Sequence, residues 1–317
     1  MREARDLKIF SGSSHPDLAA AIANHLEIPL GQVRISRFQS GEIYVRYEES
    51  IRGTDVFIVQ SFSYPINENF VELMIMVDAA KRASAKSITA VIPYYGYARQ
   101  EKKDSPREPI SAKMVADVLT TVGVDRVVTI DLHAPAIQGF FNIPVDHLTA
   151  LDLICDYIHS KNLPNMVIVS PDAGRAKMAE KLATALGAPF AIMVKNRPAH
   201  NVSTITHVIG EVEGRTPVII EDMIDTGGTI INVVEGLREK GAQEAYVCAT
   251  HALLSGNSLE RLEHPWIREV VVTDTLSLSS ASSDRLVLLT VAPLLAKSIL
   301  LIEEGGSVSS LFRIRKA

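Results

Sequence analysis

The sequence contains little cysteine, and this excludes two common kinds of stabilising site. Its two cysteines, Cys155 and Cys248, lie far apart inside apolar segments, and no metal-ligand spacing surrounds either one. A disulfide framework or a cysteine-based zinc site would need closely patterned cysteines. We therefore expect both side chains to be buried as small hydrophobic groups.

Long apolar runs are also missing. The first residues, MREARDLKIFSGSSH, open with charges and contain no stretch of signal-peptide length, and no later window approaches a membrane span free of charge. The sequence therefore predicts a cytoplasmic protein without a membrane partner.

An excess of positive charge is absent as well. The formal net charge is -5 and the pI is near 6.0, so long-range attraction to nucleic acid or to an anionic membrane is not expected. Local basic patches can still bind phosphate groups. Nucleic acid is thus excluded as the main partner.

Apolar material for a core is plentiful. The 317 residues are 47% hydrophobic and 22% charged, and the mean hydropathy is +0.14, which is typical of a compact globular protein. This length exceeds what one hydrophobic core usually organises. We expect two domains, with one large domain as the alternative.

Short β-branched runs alternate with helical stretches along the chain. Helical spacing of apolar residues occurs at 68–84 and 111–123. Strands of a parallel sheet are apolar on both sides when helices cover both faces of the sheet. Runs of this kind occur at 55–60, 87–95, 126–133, 166–172, 216–223 and 244–251. The pattern predicts an α/β fold of doubly wound type, with mostly parallel sheets flanked by helices.

Two segments hint at internal duplication. AKMVADVLTTVG (112–123) and AKMAEKLATALG (176–187) share residues at matching places. This favours two similar α/β halves that meet near Asp146. Two amphipathic helices of biased composition can also agree this far by chance.

The run VIIEDMIDTGGT, residues 218–229, leads from a strand into a helix. Gly227 and Gly228 let the backbone approach a phosphate at the positive end of that helix. Thr226 and Thr229 add hydroxyl donors. The run predicts a phosphate-binding loop, with an ordinary strand-to-helix turn as the alternative.

An acidic pair precedes this loop. Glu221 and Asp222 stand at the end of the strand, where carboxylates can accept hydrogen bonds from sugar hydroxyls. The run thus combines an acidic pair with hydroxyl groups and glycines, and this combination predicts a site for a sugar phosphate.

Two further strands end on residues that suit a metal ion. His133 closes a strand in DLHA and Asp172 closes another in SPDAG, where an open α/β sheet presents its ligands. One imidazole, one carboxylate and phosphate oxygens make a plausible Mg²⁺ site. A structural histidine after a strand is the alternative.

Basic residues occur in two segments. In VKNRP, Lys195 and Arg197 are two positions apart on an extended stretch, so both side chains could face the same side, and Pro198 prevents a helix. Two cations could therefore reach one triphosphate.

The stretch from Arg99 to Lys113 is basic and interrupted by prolines, which predicts a protruding loop. Solvated surface charges are the alternative in both cases.

These segments together resemble the ribose-phosphate pyrophosphokinase family, class I. The run at 218–229 also resembles the phosphoribosyl-binding motif of type I phosphoribosyltransferases. The other matching segments occur in the pyrophosphokinase order and extend over nearly the whole chain: FSGSSH, 91–113, DLHA, QGFF with IPVDHL, SPDAGRAK, VKNRP and SVSSLF.

The resemblance implies an activity and its residues. It implies transfer of pyrophosphate from ATP to ribose 5-phosphate, with Mg²⁺ as cofactor. The implied catalytic residues are Lys195 and Arg197, and the implied metal ligands are His133 and Asp172. The implied ATP contacts are Phe38, Ser40, Gly41, Glu42, Arg99 and Gln100. The implied ribose 5-phosphate contacts are Arg197, Glu221, Asp222, Asp225, Thr226, Gly227, Gly228 and Thr229.

The resemblance also implies an organisation. Residues 1–145, joined by the tail 297–317, would form a domain with the ATP contacts and a flag-like loop, and residues 146–296 a phosphoribosyltransferase-type domain. Dimers or hexamers are implied, with adenine contacted across a subunit boundary. From residue type alone, Phe38 reads as a core residue.

Four positions depart from the family pattern. Glu221 stands where aspartate is expected, Ser40 where aspartate is frequent, and Ser310 where tyrosine is frequent. Arg175 replaces a common glycine beside the phosphate site, where it could add a phosphate contact or crowd the loop. The serine at position 310 weakens the prediction of allosteric regulation, whereas the prediction of catalysis does not depend on it.

Two other functions remain open at the level of sequence. A nucleobase phosphoribosyltransferase would use the same sugar-phosphate motif, but it has no use for an ATP site at Phe38 and Arg99. A catalytically silent regulatory subunit that binds an active partner would have no chemical reason to keep all four of the residues His133, Asp172, Lys195 and Arg197.

Overall fold

The computed structural model of the chain describes residues 7–199, 202–278 and 283–311, and between 195 and 206 it describes the backbone only. The described residues form two compact units. The first contains the residues up to Thr149, Thr275–Ser277 and those from Val291 onward. The second contains Ala150–Asp274 and the residues from Leu278 to Thr290.

Strands and helices alternate along the chain. The strands are β1 (Leu7–Ser11), β2 (Val33–Arg37), β3 (Ile43–Tyr47), β4 (Asp55–Val59), β5 (Ser87–Ile92), β6 (Arg126–Ile130), β7 (Val145–Leu148), β8 (Met166–Ser170), β9 (Phe190–Ala199), β10 (Val202–Ile209), β11 (Thr216–Ile224), β12 (Ala245–Ala252), β13 (Ile267–Thr273) and β14 (Leu286–Leu289). The helices are α1 (Pro16–His25), α2 (Ile66–Arg82), α3 (Ser111–Val122), α4 (Leu151–Ser160), α5 (Ala176–Leu186), α6 (Gly228–Glu239), α7 (Ser258–Leu262) and α8 (Ala292–Glu303).

The first unit is built on a parallel sheet with the strand order β1-β4-β5-β6-β7. Its central strands β4 and β5 are buried along nearly their whole length, because helices cover a parallel sheet on its faces. Strands β2 and β3 form a separate antiparallel hairpin. The hairpin therefore stands outside the main sheet.

The second unit contains a seven-stranded sheet with the order β10-β9-β8-β11-β12-β13-β14. All its pairs are parallel except β9 with β10. Ile168 and Val218 pack in one core cluster with α4 and α5, whereas Val169 and Ile219 pack in another with α6. Alternate strand residues thus face helices on opposite sides, which confirms the predicted α/β fold of parallel sheets flanked by helices.

The two units repeat one strand order. The order β1-β4-β5-β6-β7 in the first matches β8-β11-β12-β13-β14 in the second, and each has an antiparallel pair inserted after its first strand and helix. The helices that suggested duplication are not equivalent, since α3 follows β5 whereas α5 follows β8. Both helices end at a left-handed glycine, Gly123 or Gly187, which accounts for the glycine that the two segments share.

The predicted elements are present. The six predicted strand runs overlap β4, β5, β6, β8, β11 and β12, and the two predicted helices overlap α2 and α3, with ends that differ by a few residues. Cys155 and Cys248 are buried, as expected. Within the described ranges, none of the helices has the length and apolar character that a membrane crossing requires.

Candidate functional site

The sugar-phosphate motif lies at the point where the second sheet reverses its strand order. The connection from β8 leads outward to β9, and the connection from β11 leads the opposite way to β12, although β8 and β11 are neighbours. Such a reversal opens a crevice beyond the carboxyl ends of the two strands. The segments at this edge are 171–175 after β8 and 225–227 after β11.

The loop after β11 has the geometry of an anion site. Gly227 is the N-cap of α6 with a φ of 75° and a ψ of -8°, a left-handed conformation that favours glycine. Glycine has no side chain with which to cap the helix, so Gly227 supplies no capping oxygen to the first N–H groups of α6. This end of the helix suits a phosphate group.

Neighbouring segments fix the shape of this loop. Arg261 Nη1 donates to the Thr226 carbonyl at 3.0 Å. The N–H groups of Leu254 and Ser255 donate to the carbonyls of Ile224 and Asp225 at 3.1 and 3.0 Å. The loop is therefore held in place by α7 and by the segment that follows β12. No feature of the sequence pattern predicts this role of Arg261.

The acidic pair at the end of β11 binds an arginine from the loop after β8. Arg175 Nε donates to Glu221 Oε1 at 2.8 Å, and Arg175 Nη2 lies 2.9 Å from Asp222 Oδ2. Pairing of β11 with β8 ends at Ile219, so this side of the strand end is open to the guanidinium. Arg175 is thus directed toward the predicted sugar-binding carboxylates.

Both carboxylates are buried, Glu221 with 9% and Asp222 with 2% of its surface exposed. Burial, together with the negative charge of Asp222, raises the pKa of Glu221 to about 8, although the positive charge of Arg175 acts in the opposite direction. The charge state of the pair therefore depends on the guanidinium beside it.

The loop after β8 holds the predicted ligand Asp172. Its Oδ1 accepts the Gly174 N–H at 2.9 Å, and Ser170 Oγ donates to its carbonyl at 2.6 Å. These bonds fix the start of the 3-10 turn Ala173–Arg175. Among the described residues, no three or more His, Cys, Asp or Glu side chains cluster as a metal site.

His133 lies in the first unit, just after β6, and is half-buried. Asp131, at the start of this turn, has a φ of 39°, which is uncommon for a residue other than glycine. The Leu132 N–H donates to His147 Nε2 at 2.8 Å. The backbone before His133 is thus fixed by a histidine from β7.

Lys195 and Arg197 lie in β9. The backbone is extended there, as predicted, and pairs with β10, with Ile205 opposite Lys195. The placement of the two side chains lies outside the described residues.

The predicted ATP contacts near residue 40 lie in the turn of the β2–β3 hairpin. Gly41, with a φ of 92°, donates its N–H to the Phe38 carbonyl at 2.9 Å. Ser40 Oγ donates to Glu42 Oε2 at 2.5 Å. Phe38 is 57% exposed and packs edge-on against Tyr44, with 5.6 Å between ring centroids. The interpretation of Phe38 as a core residue is wrong, because the side chain belongs to a hairpin turn that stands outside the main sheet.

Arg99 and Gln100 begin the basic segment, which is irregular and exposed from Lys102 to Ile110, as predicted. Ser111 Oγ donates to Gln100 Oε1. This bond joins the start of the segment to the first turn of α3. Ser310 lies in the 3-10 turn Val308–Leu311, where its Oγ donates to the Ser307 carbonyl at 3.0 Å.

Two protein-family models match the chain. One describes the N-terminal domain of ribose phosphate pyrophosphokinase and matches residues 7–123. The other describes a phosphoribosyl synthetase-associated domain and matches residues 170–313. The matched regions contain the hairpin turn and the loop before α6, respectively.

Relatives match the chain over almost its whole length. The ribose-phosphate pyrophosphokinase of Bacillus cereus is 50% identical over 308 residues, which cover 97% of each chain. That of Bacillus subtilis is 50% identical over 309 residues, covering 97% of this chain and 98% of the relative. The crystal structure of phosphoribosylpyrophosphate synthetase from Mycobacterium smegmatis has a TM-score of 0.88 and 46% identity, covering 95% of this chain and 99% of that one.

Proposed function

The chain belongs to the ribose-phosphate pyrophosphokinase family, and from this we propose that it transfers the pyrophosphoryl group of Mg²⁺-bound ATP to the 1-hydroxyl of D-ribose 5-phosphate. The products are 5-phospho-α-D-ribose 1-diphosphate and AMP. The observation that carries the proposal is the loop before α6, which offers backbone N–H groups to a phosphate and directly follows β11 with its two buried carboxylates.

The transfer is a single displacement. The oxygen of the sugar's 1-hydroxyl forms a bond to the β-phosphorus of ATP while the bond from that phosphorus to the oxygen shared with the α-phosphate breaks. AMP leaves with the bonding electrons, and the hydroxyl proton passes to solvent. The protein's contribution is mainly positioning and charge neutralisation.

The residues that bind ribose 5-phosphate have separate roles. The loop Asp225–Thr229 binds the 5-phosphate of the sugar at the N-terminus of α6. Glu221 and Asp222 accept hydrogen bonds from the ribose hydroxyls. Lys195 and Arg197 contribute positive charge for the transferring group, and Arg197 also contacts the sugar phosphate.

His133 and Asp172 would each supply one ligand to a magnesium ion, with water and phosphate oxygens at the other positions, as is usual for Mg²⁺. When bound, the ion would neutralise charge on the phosphate oxygens. The hydrogen bond that Asp172 Oδ1 accepts from the Gly174 N–H limits the motion of this side chain, which supports the proposed role.

ATP binds through the hairpin turn and the basic segment. Phe38 presents an exposed aromatic face, which suits stacking on adenine, and Ser40, Gly41 and Glu42 contribute polar groups beside it. Arg99 and Gln100 contact the nucleotide from the start of the basic segment.

We expect Phe38→Ala to raise the KM for ATP about tenfold, because stacking of a base on an aromatic side chain contributes roughly 1–3 kcal/mol. The KM for ribose 5-phosphate should stay unchanged, since the sugar site uses other elements. Steady-state kinetics with each substrate varied in turn measures both. The matched control is Tyr64→Ala, which removes an aromatic ring that is 93% exposed and has no assigned role. An equal KM for ATP in both variants would contradict the stacking role.

The function is tested by mixing the purified chain with ATP, Mg²⁺ and ribose 5-phosphate and following AMP by chromatography. AMP should form only when the sugar phosphate is present and without any added nucleobase. A chain that forms no AMP from these components, but consumes 5-phospho-α-D-ribose 1-diphosphate when a nucleobase is added, would instead be a phosphoribosyltransferase. Absence of AMP with all three components would refute the proposal.

We further propose that the enzyme acts in the cytoplasm as a dimer or hexamer, with adenine contacted by residues of two subunits. Light scattering of the active enzyme measures the mass of the assembly. A monomer with full activity would rule out a nucleotide site shared between subunits.

A further inference from the structure

Arg175 connects the two segments that border the proposed sugar site. It ends the 3-10 turn after β8, and its guanidinium binds the carboxylates of both Glu221 and Asp222 at the end of β11. Only 15% of its side chain is exposed. The guanidinium therefore joins the loop after β8 to the end of β11, and it is largely shielded from solvent.

The acidic pair needs such a partner. Two neighbouring carboxylates with little exposure repel each other, and without a cation one of them takes up a proton. A protonated carboxyl group has lost one acceptor and gained a donor. Arg175 opposes this protonation, although burial and the charge of Asp222 still raise the pKa of Glu221 to about 8. Its guanidinium also fixes the direction of the carboxyl oxygens that accept from sugar hydroxyls.

The guanidinium group of Arg175 also fixes the orientation of the two carboxylates. Nε and the Nη2 group of one planar guanidinium bind two different carboxylates, so the positions of the two acids relative to each other are set by a rigid spacer. Lysine carries the same charge but only a single nitrogen, and it cannot reproduce this spacing.

We propose that Arg175 is a positioning residue of the sugar site: it holds Glu221 and Asp222 as two oriented acceptors for the hydroxyls of ribose 5-phosphate. The residue thereby sets the affinity for the sugar phosphate and leaves the affinity for ATP unchanged. This inference rests on the proposed function, because it assigns the carboxylates to the sugar.

The test is calorimetric titration of the full-length enzyme with ribose 5-phosphate alone, and separately with Mg²⁺-ATP. Arg175→Gln is expected to weaken sugar-phosphate binding about tenfold, because the two carboxylates lose the charged donors that orient them. Nucleotide binding should change less than about twofold. Arg238→Gln is the control, because it removes an arginine that pairs with Glu235 on α6 and should leave both affinities unaltered.

A double-mutant cycle with Glu221→Gln separates positioning from a general structural role. If Arg175 acts through Glu221, the Arg175→Gln substitution should cost a smaller factor in the Glu221→Gln background than in the wild type. Equal factors in the two backgrounds would overturn the inference, as would wild-type or tighter sugar-phosphate binding by Arg175→Gln.

The conservative variant keeps the test decisive if Arg175→Gln does not fold. Arg175→Lys should bind the sugar phosphate more weakly than the wild type, with unchanged nucleotide affinity, and wild-type affinity for the sugar phosphate would overturn the inference. Lack of ribose 5-phosphate binding by the wild-type enzyme itself would overturn the proposed function instead, so the two failures are distinguishable.

Discussion

Replacing Lys195 with alanine is expected to lower kcat about 1,000-fold, because removal of one group that stabilises transition-state charge costs roughly 10²–10³ in rate. The KM values for both substrates should change only a few-fold. The reason is that charge on the transferring pyrophosphoryl group is greatest in the transition state, so a cation placed there contributes little to binding of the ground state. Initial rates of AMP formation at saturating substrates measure the effect.

Two further variants make this prediction specific. Lys195→Arg retains a positive charge on β9 and should recover part of the rate, whereas Lys181→Ala, which removes an exposed lysine of α5, should have wild-type kinetics. Near-normal turnover of Lys195→Ala would refute the assignment of Lys195 as a catalytic residue. A large rise in both KM values with unchanged kcat would also contradict it, since it would place Lys195 in ground-state binding.

The fold could be predicted where burial imposes a regular pattern. Strands β4, β5, β8, β11 and β12 are apolar on both sides because helices cover both faces of the sheets, and such runs are visible in sequence. Helix α6 likewise buries Ile230, Val233, Val234 and Leu237, which stand at helical spacing in the sequence. Strand elements with a half-exposed pattern, such as β2 and β3, carry a weaker signal.

The details of the site depend on contacts between segments far apart in sequence. Arg175 and Glu221 were recognised as separate departures from a family pattern, but only the structure shows that they bind each other at 2.8 Å. Forty-six positions separate them, and no local pattern reports such a pairing. Likewise, the exposure of Phe38 depends on the hairpin standing outside the sheet, which a residue type cannot reveal.

The predicted metal ligands illustrate the same limit. The sequence predicts strands that close at His133 and Asp172, but β6 ends at Ile130 and β8 at Ser170, so both residues lie in the segments that follow the strands. The bond from Leu132 to His147 joins the segment after β6 to β7, and only the tertiary fold brings these residues together.

Gly227→Ala is expected to weaken ribose 5-phosphate binding about 100-fold while leaving the fold intact. A side chain at a φ of 75° costs roughly 1–2 kcal/mol, and the backbone relieves this strain by rotating the N–H groups that bind the phosphate. Each such hydrogen bond to a charged group contributes roughly 1.5–3 kcal/mol. An added Cβ would lie 3.7 Å from Arg261 Cβ, which is ordinary contact, so steric crowding does not explain the loss.

Gly187→Ala is the matched control for this variant. Gly187 has a φ of 63° at the end of α5, and an added Cβ would meet no atom within 4 Å, so the substitution imposes a similar backbone strain away from the proposed site. Both variants should lose similar thermal stability, measured by calorimetry, but only Gly227→Ala should lose affinity for ribose 5-phosphate. Equal affinities in the two variants would show that the loop before α6 does not bind the phosphate, because the strain itself would then have no consequence for the sugar site.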